Sequence, residues 1–435
     1  MPKTPATAAS ASASATAAAT TRGPERRRTR RAAWLLGPAL VAGVAYLDPG
    51  NVASNMTAGA RFGYLLVWVV VLGNAMAWLI QYLSAKLGVV TGRSLAETLG
   101  ERFRHTTTRR LYWLQAELVA MATDIAEVIG GAVALWLLFA VPLPIGGLIT
   151  GAVSIALLMI QQRRGARSFE FVVIGLLAII ALGFTYGVFV APPDATAVAA
   201  GLIPRFEGTD SVLLAASILG ATIMPHAIYA HSALARDRFT APGAHPGDRA
   251  HGIGRILRAT RWDVTIALVI AGTVNLCILL LAAANLAGVP GTDSLEGAYD
   301  ALHTGLGAGV ATLFAVGLLA SGLASTAVGA YAGAEIMHGL LHIRVPLLAR
   351  RLVTLVPAIV ILAAGVDPTW ALVLSQVVLS FGIPFALIPL VALTARRDVL
   401  GAHRNRWWTT VAGILASLFL VVLNGVLMCL VLGGG

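Results

Sequence analysis

The stretch "AYLDPGNVASN", residues 45–55, interrupts the first long apolar run of the chain with residues that a membrane helix does not ordinarily hold. Pro49 has no amide hydrogen and Gly50 is a poor helix former, so the helix breaks there, and Asp48 and Asn51 are costly to place in hydrocarbon. Further along, the same event recurs. In "SILGATIMPHAIYAHSA", residues 217–233, Pro225 breaks the sixth apolar run about as deep as Pro49 breaks the first. Five crossings separate the two breaks, and an odd number sends the second copy in from the opposite face. Matched interruptions in two inverted halves point to a binding site at the membrane midplane of a transporter.

The rest of the chain agrees with a membrane reading. Of its 435 residues 57% are hydrophobic and 12% charged, and the mean hydropathy is +0.81. A soluble protein with so few charges has too little to cover its surface. Apolar runs long enough to cross hydrocarbon are expected at 33–59, 62–88, 110–140, 144–160, 169–191, 210–235, 261–287, 308–341, 347–365, 369–393 and 408–432. The expected fold is thus an all-α polytopic membrane protein of 11 transmembrane helices. Residues 33–191 form a first five-helix repeat, 210–393 a second, inverted one, and 408–432 an additional helix.

A net charge of +11 in a soluble chain would suggest nucleic acid, but the basic residues are placed for a membrane. With the N-terminus inside, 29 of the 31 Lys and Arg fall on the inner side, leaving Arg61 and Arg205 outside. That asymmetry sets the N-terminus in the cytoplasm and the C-terminus outside. The partners expected are therefore the lipid bilayer and a small substrate, with no nucleic acid and no obligate protein partner. Residues 1–32, Ala-, Ser- and Thr-rich and ending in "RGPERRRTRR" up to residue 31, read as a disordered basic cytoplasmic tail. A transit peptide or signal sequence is disfavoured, because the following run is too long and carries the DPGN break. Cys277 and Cys429 stand singly in apolar runs, so packing is their expected role.

The donor atoms at the two breaks indicate what would bind. Asp48 offers a carboxylate, Asn51 an amide oxygen and Met224 a thioether; an unwound backbone near Ala221 would expose a carbonyl, and Gln376 in span ten supplies a second amide. Hard oxygens with one soft sulfur suit Mn(II), Fe(II), Co(II) or Cd(II) better than Mg(II) or Ca(II), which gain little from sulfur. Met224 is the discriminating residue, and packing is its bland alternative. No further cofactor is expected.

Asp48-Pro49-Gly50-Asn51 together with Met224-Pro225-His226, "ATDIAEVIGGAVAL" in span three and "LSQVVLSFGIPFALIPL" in span ten resembles the Nramp family of proton-coupled divalent metal transporters, especially its bacterial manganese transporters. The resemblance implies a LeuT-like fold of two inverted five-helix repeats, with helices one and six broken at Pro49, Gly50 and Pro225. It implies inward movement of Mn(II) or Fe(II) with protons, and makes Asp48, Asn51, the Ala221 carbonyl, Met224 and Gln376 the metal ligands. A magnesium-transporting branch is expected to lack the methionine.

Proton coupling needs titratable groups between the site and water. Span three carries Glu117, Asp124 and Glu127; at about 100° per residue, Asp124 lies about 20° and Glu127 about 80° from Glu117, which makes one stripe. The resemblance assigns these residues, with Arg350 and Arg351 at the start of span nine, to the proton path; Asp48 and His226 join it beside the metal. Two alternatives stand: a structural salt-bridge network between spans three and nine, or arginines that only anchor the inner surface. His231 is expected to have a structural or gating role. Asn74, Gln81, Asn275 and Asn424 read equally as gate residues or as interhelical hydrogen bonds, and the Gly-rich span eight as close packing.

No HExxH or GxSxG pattern occurs in the spans, so an enzyme is not expected. The rivals are an amino-acid or magnesium transporter on the same fold, and a channel-like leak for part of the flux. The Ala/Arg-rich composition suggests a bacterial plasma (inner) membrane.

Overall fold

A computed structural model describes residues 39, 42–43, 45–164, 166–240, 252–343 and 345–433; the expected tail at 1–32 lies outside them. The described residues are helical throughout, with no strand. After a 3-10 turn at Ala45–Leu47 come α1 (Pro49–Phe62), α2 (Val67–Thr91), α3 (Leu95–Arg102), α4 (Thr106–Phe139), α5 (Leu143–Arg164), α6 (Ala166–Val190) and α7 (Ala195–Ala200). The sixth span is two helices, α8 (Gly208–Ile223) and α9 (Pro225–Thr240). Then follow α10 (Ile253–Asn285), α11 (Leu295–Leu306), α12 (Ala308–Leu341), α13 (Leu347–Ala363), α14 (Pro368–Ala395), α15 (Arg397–Leu400) and α16 (Trp407–Leu432).

Every expected span has a helix, though not every helix is a full crossing among the described residues. By length and apolarity, α2, α4, the α8–α9 pair, α10, α12, α14 and α16 each suffice alone. The described apolar parts of α5 and α6 are shorter, Leu143–Leu157 and Gly175–Val190. Helix α1 has 14 residues because it starts at the Pro49 break, and α13 has 17. Four short helices, α3, α7, α11 and α15, lie between the spans where loops were expected. Of these, α3 has a local cause: Ser94 accepts from the Glu97 amide while the Glu97 side chain accepts from the Ser94 amide, a closed capping box.

Apolar side chains gain little by leaving lipid for one another, so close packing and polar contacts must hold these helices together. The small residues of α12 let it run along α4, and α10 likewise packs on α1 and α14 on α8. This packing carries polar groups into the interior. Asp48, Asn51, Asp124, Glu127 and Gln376 are all fully buried.

Candidate metal and proton site

The first break is shaped by its own residues. Asp48 is the N-cap of α1, and its Oδ1 accepts from the Asn51 amide at 2.8 Å, while Pro49 occupies the first helical position, where no amide is needed. A carboxylate at this end is favoured by the helix dipole. The break also leaves backbone carbonyls without helical partners, and side chains take them. Tyr46 O accepts from Asn51 Nδ2 at 2.8 Å and from Asn275 Nδ2 at 3.0 Å, and Leu47 O accepts from the Ser321 hydroxyl.

The second break works differently from the expectation. Ala221 is not unwound; it lies in the last turn of α8, and Met224 is the residue that joins α8 to α9. The Ala221 carbonyl is available because the residue four places on is Pro225, which has no amide hydrogen to give it. Asn51 Nδ2 donates to this carbonyl at 2.8 Å, so the two breaks meet directly across the molecule. The C-terminal end of α8 therefore presents its negative dipole end toward Asn51 and the start of α1.

Gln376, in the middle of α14, closes the third side. Its Nε2 donates to Asp48 Oδ2 at 3.3 Å and to Ser375 Oγ at 3.0 Å, and its Oε1 accepts no hydrogen bond among the described residues. Gly50 makes this approach possible, because a Cβ there would fall on the Gln376 side chain, 2.7 Å from its Cγ. The structure thus brings Asp48, Asn51, Ala221 and Gln376 into one hydrogen-bonded group. Met224 is fully buried at the joint itself.

The acidic stripe on α4 meets the arginine pair of α13. Arg350 Nε lies 3.0 Å from Glu117 Oε1 and its Nη1 3.0 Å from Asp124 Oδ2. Arg351 Nη1 lies 3.0 Å from Asp124 Oδ1 and 3.1 Å from Glu127 Oε2; its Nε reaches Ser154 Oγ at 2.9 Å and its Nη2 Thr326 Oγ1 at 3.2 Å. Both arginines are buried, which rules out a role as simple surface anchors. Three carboxyl groups facing two guanidinium groups leave one negative charge uncompensated when all are ionised. Glu127 also lies within electrostatic reach of Asp48, and His226 within reach of Asp124 and Arg350, so the network borders the first group. Gly333 on α12 makes room for it, since a Cβ there would strike the Arg350 guanidinium.

His226 Nδ1 lies 3.2 Å from Thr123 Oγ1 on α4. His231, five residues further along α9, pairs instead with Gln81 Oε1 of α2 at 2.8 Å, away from the acidic stripe. Several polar residues around the site carried no specific assignment from sequence. Asn275 binds the Tyr46 carbonyl, Asn55 Nδ2 donates to Asn51 O at 2.9 Å, and Ser54 Oγ lies 2.6 Å from Ser217 Oγ. An isolated amide in an apolar run is the available signal for Asn275; serine is too common in such runs to give one.

A chain that crosses the membrane repeatedly, with two helices broken opposite one another around buried carboxylate, amide and carbonyl groups, has the LeuT-like architecture of a membrane transporter. The chain belongs to the Nramp family: the family profile described as natural resistance-associated macrophage protein-like matches residues 39–430. It is 59% identical over 411 residues to the divalent metal cation transporter MntH of Mycobacterium tuberculosis, covering 94% of this chain and 95% of that protein. It is 47% identical over 392 residues to MntH of Bacillus subtilis, covering 89% and 90%. Among solved structures, the Eremococcus coleocola manganese transporter in complex with an aromatic bis-isothiourea substituted compound superposes with a TM-score of 0.80 at 33% identity, over 92% of this chain and 87% of that one.

Proposed function

We propose that this protein imports divalent transition metal ions, Mn(II) and also Fe(II), Co(II) and Cd(II), together with protons, by alternating access. The observation that carries the reading is the meeting of Asp48, Asn51, the Ala221 carbonyl and Gln376 at two facing helix breaks. An amide hydrogen of Asn51 now occupies the Ala221 oxygen, and one of Gln376 occupies an Asp48 oxygen. A cation drawn by the Asp48 charge would replace those hydrogens, and rotation of either amide would offer its oxygen instead. Met224, at the joint of α8 and α9, would add the sulfur that favours these metals over Mg(II) and Ca(II).

Protons would move through the neighbouring network. The carboxylate left over beside Arg350 and Arg351 is a place for one proton, and Glu127 stands between Asp48 and the rest of the α4 stripe. Protonation there and cation binding at Asp48 act on one another through charge. His226 is the candidate relay at the metal side. With the basic loops inside, in a bacterial plasma membrane, the membrane potential drives cation import at roughly 2.3 kcal/mol per charge per 100 mV.

Uptake of Mn(II) into proteoliposomes, with excess Mg(II) or Ca(II) as competitor, tests the reading. Wild type is expected to show saturable, competitor-resistant uptake, Met224→Ala weaker discrimination and Asp48→Ala none. Uptake of Mg(II) or an amino acid instead of Mn(II) by the wild type would overturn the assignment while leaving the fold intact.

A further inference from the structure

Helix α14 contains two prolines in its interior, Pro384 and Pro389. Each removes the amide that would have bonded to the carbonyl four residues earlier, and each ring crowds that carbonyl outward. The carbonyls freed in this way are Ser380 O and Phe385 O. A carbonyl left without its helical partner inside a membrane, where no water can serve it, needs another donor. Both find one on a different helix. Asn424 of α16 donates its Nδ2 to Ser380 O at 2.9 Å and accepts from Ser380 Oγ at 2.8 Å. At the other proline, the hydroxyl of Tyr112, from α4, donates to Phe385 O and accepts from the Tyr229 hydroxyl of α9 at 3.2 Å.

The first of these contacts bears on the metal site. Ser380 lies one turn after Gln376 on the same face of α14, and Gln376 reaches Asp48. We infer that Asn424 is a positioning residue for the metal site: by capping the carbonyl that Pro384 frees, it holds in place the turn of α14 that carries Gln376 to Asp48. This gives α16, which lies outside the two five-helix repeats, a part in substrate binding without touching substrate. The inference rests on the metal-transport reading and on Gln376 as a ligand.

The coupling between Pro384 and Asn424 can be tested directly, because Pro384→Ala returns to Ser380 O a donor from within α14. Mn(II) uptake is measured in proteoliposomes for wild type, Asn424→Leu, Pro384→Ala and the double variant. Asn424→Leu is expected to raise KM for Mn(II) about fivefold to tenfold, the weight of one buried hydrogen bond, with Vmax per assembled protein within about twofold of wild type. In the Pro384→Ala background the same substitution is expected to change KM by less than about twofold. A role in assembly alone would lower Vmax and leave KM in place. An unchanged KM in Asn424→Leu, or an equal penalty in both backgrounds, overturns the inference while wild-type transport keeps the metal reading. Absence of saturable Mn(II) uptake by the wild type overturns both. If Asn424→Leu does not assemble, recovery of monodisperse protein on adding Pro384→Ala supports the same coupling, and failure of the double variant to recover overturns it.

Discussion

Arg351 sets one nitrogen, Nη1, 3.0 Å from Asp124 Oδ1 and 3.1 Å from Glu127 Oε2, so a single guanidinium group holds two buried carboxyl groups from α4. Its remaining nitrogens are committed to Ser154 and Thr326. Arg351→Ala leaves Glu127 without a cation and Asp124 with Arg350 alone in a dry interior, and breaking a buried pair typically costs about 3–5 kcal/mol. Arg351→Lys keeps the charge but has no planar fork to serve four partners. Thermal unfolding of the purified protein should rank wild type above Arg351→Lys and that above Arg351→Ala. An alanine variant as stable as wild type would show that these carboxyl groups are held by something else.

Glu127→Gln is expected to act in the opposite sense on stability. It leaves two carboxyl groups facing two arginines, so the uncompensated charge disappears. The variant should be no less stable than wild type, and should still take up Mn(II) when the membrane potential drives it. What it should lose is proton movement: a pH-sensitive dye inside the vesicles is expected to report at least a tenfold lower proton influx accompanying metal. Equal proton influx in the two proteins would remove Glu127 from the path.

The breaks and the acidic stripe were legible in sequence because they are set by local rules. Proline forbids a hydrogen bond to a known residue, and helical periodicity places Glu117, Asp124 and Glu127 on one side whatever packs against them. The arginine pair was legible as residues and not as geometry; which guanidinium takes which carboxyl group depends on the approach of α13 to α4. The contact of Asn51 with Ala221 joins residues 170 apart in sequence, and that of Gln376 with Asp48 joins residues 328 apart. Periodicity holds no information about such distances. His231 shows the limit well. Five residues from His226, about 140° around the helix, it reads as structural or gating rather than as a relay, but nothing along the chain named Gln81 as its partner.

Gly50→Ala separates the shape of the metal site from its chemistry, since no donor atom is removed. The added methyl group would occupy the space of the Gln376 side chain and push its amide away from Asp48. Overpacking of this kind costs about 1–3 kcal/mol, so the protein is expected to fold. Affinity for Mn(II), measured by calorimetry on the purified protein, should fall by at least tenfold. Unchanged affinity would mean that Gln376 is not needed where it stands.

Outside the spans, Glu97 gives a pH dependence whose sign follows from its surroundings. Burial works to raise its carboxyl pKa, but the Ser94 amide and the Arg236 guanidinium outweigh that effect and hold it below its ordinary value of 4.5. Arg236 Nη1 lies 2.6 Å from Glu97 Oε2 and its Nη2 3.1 Å from Glu335 Oε1, so Glu97 ties α3 to α9, and Arg236 carries the link on to α12. A carboxyl group with a lowered folded pKa binds fewer protons in the folded than in the unfolded state over that interval. Its contribution is therefore complete above 4.5 and is lost as pH falls through the folded value. Melting temperatures of wild type and Glu97→Gln should differ at pH 7 in favour of wild type, and the difference should shrink steadily as the solution is acidified below 4.5. The other carboxyl groups titrate in both proteins, so they cancel from that difference. A gap that stays constant far into the acid range would mean that the ionised carboxylate contributes nothing at this joint, and that packing of α3 on α12 holds it instead.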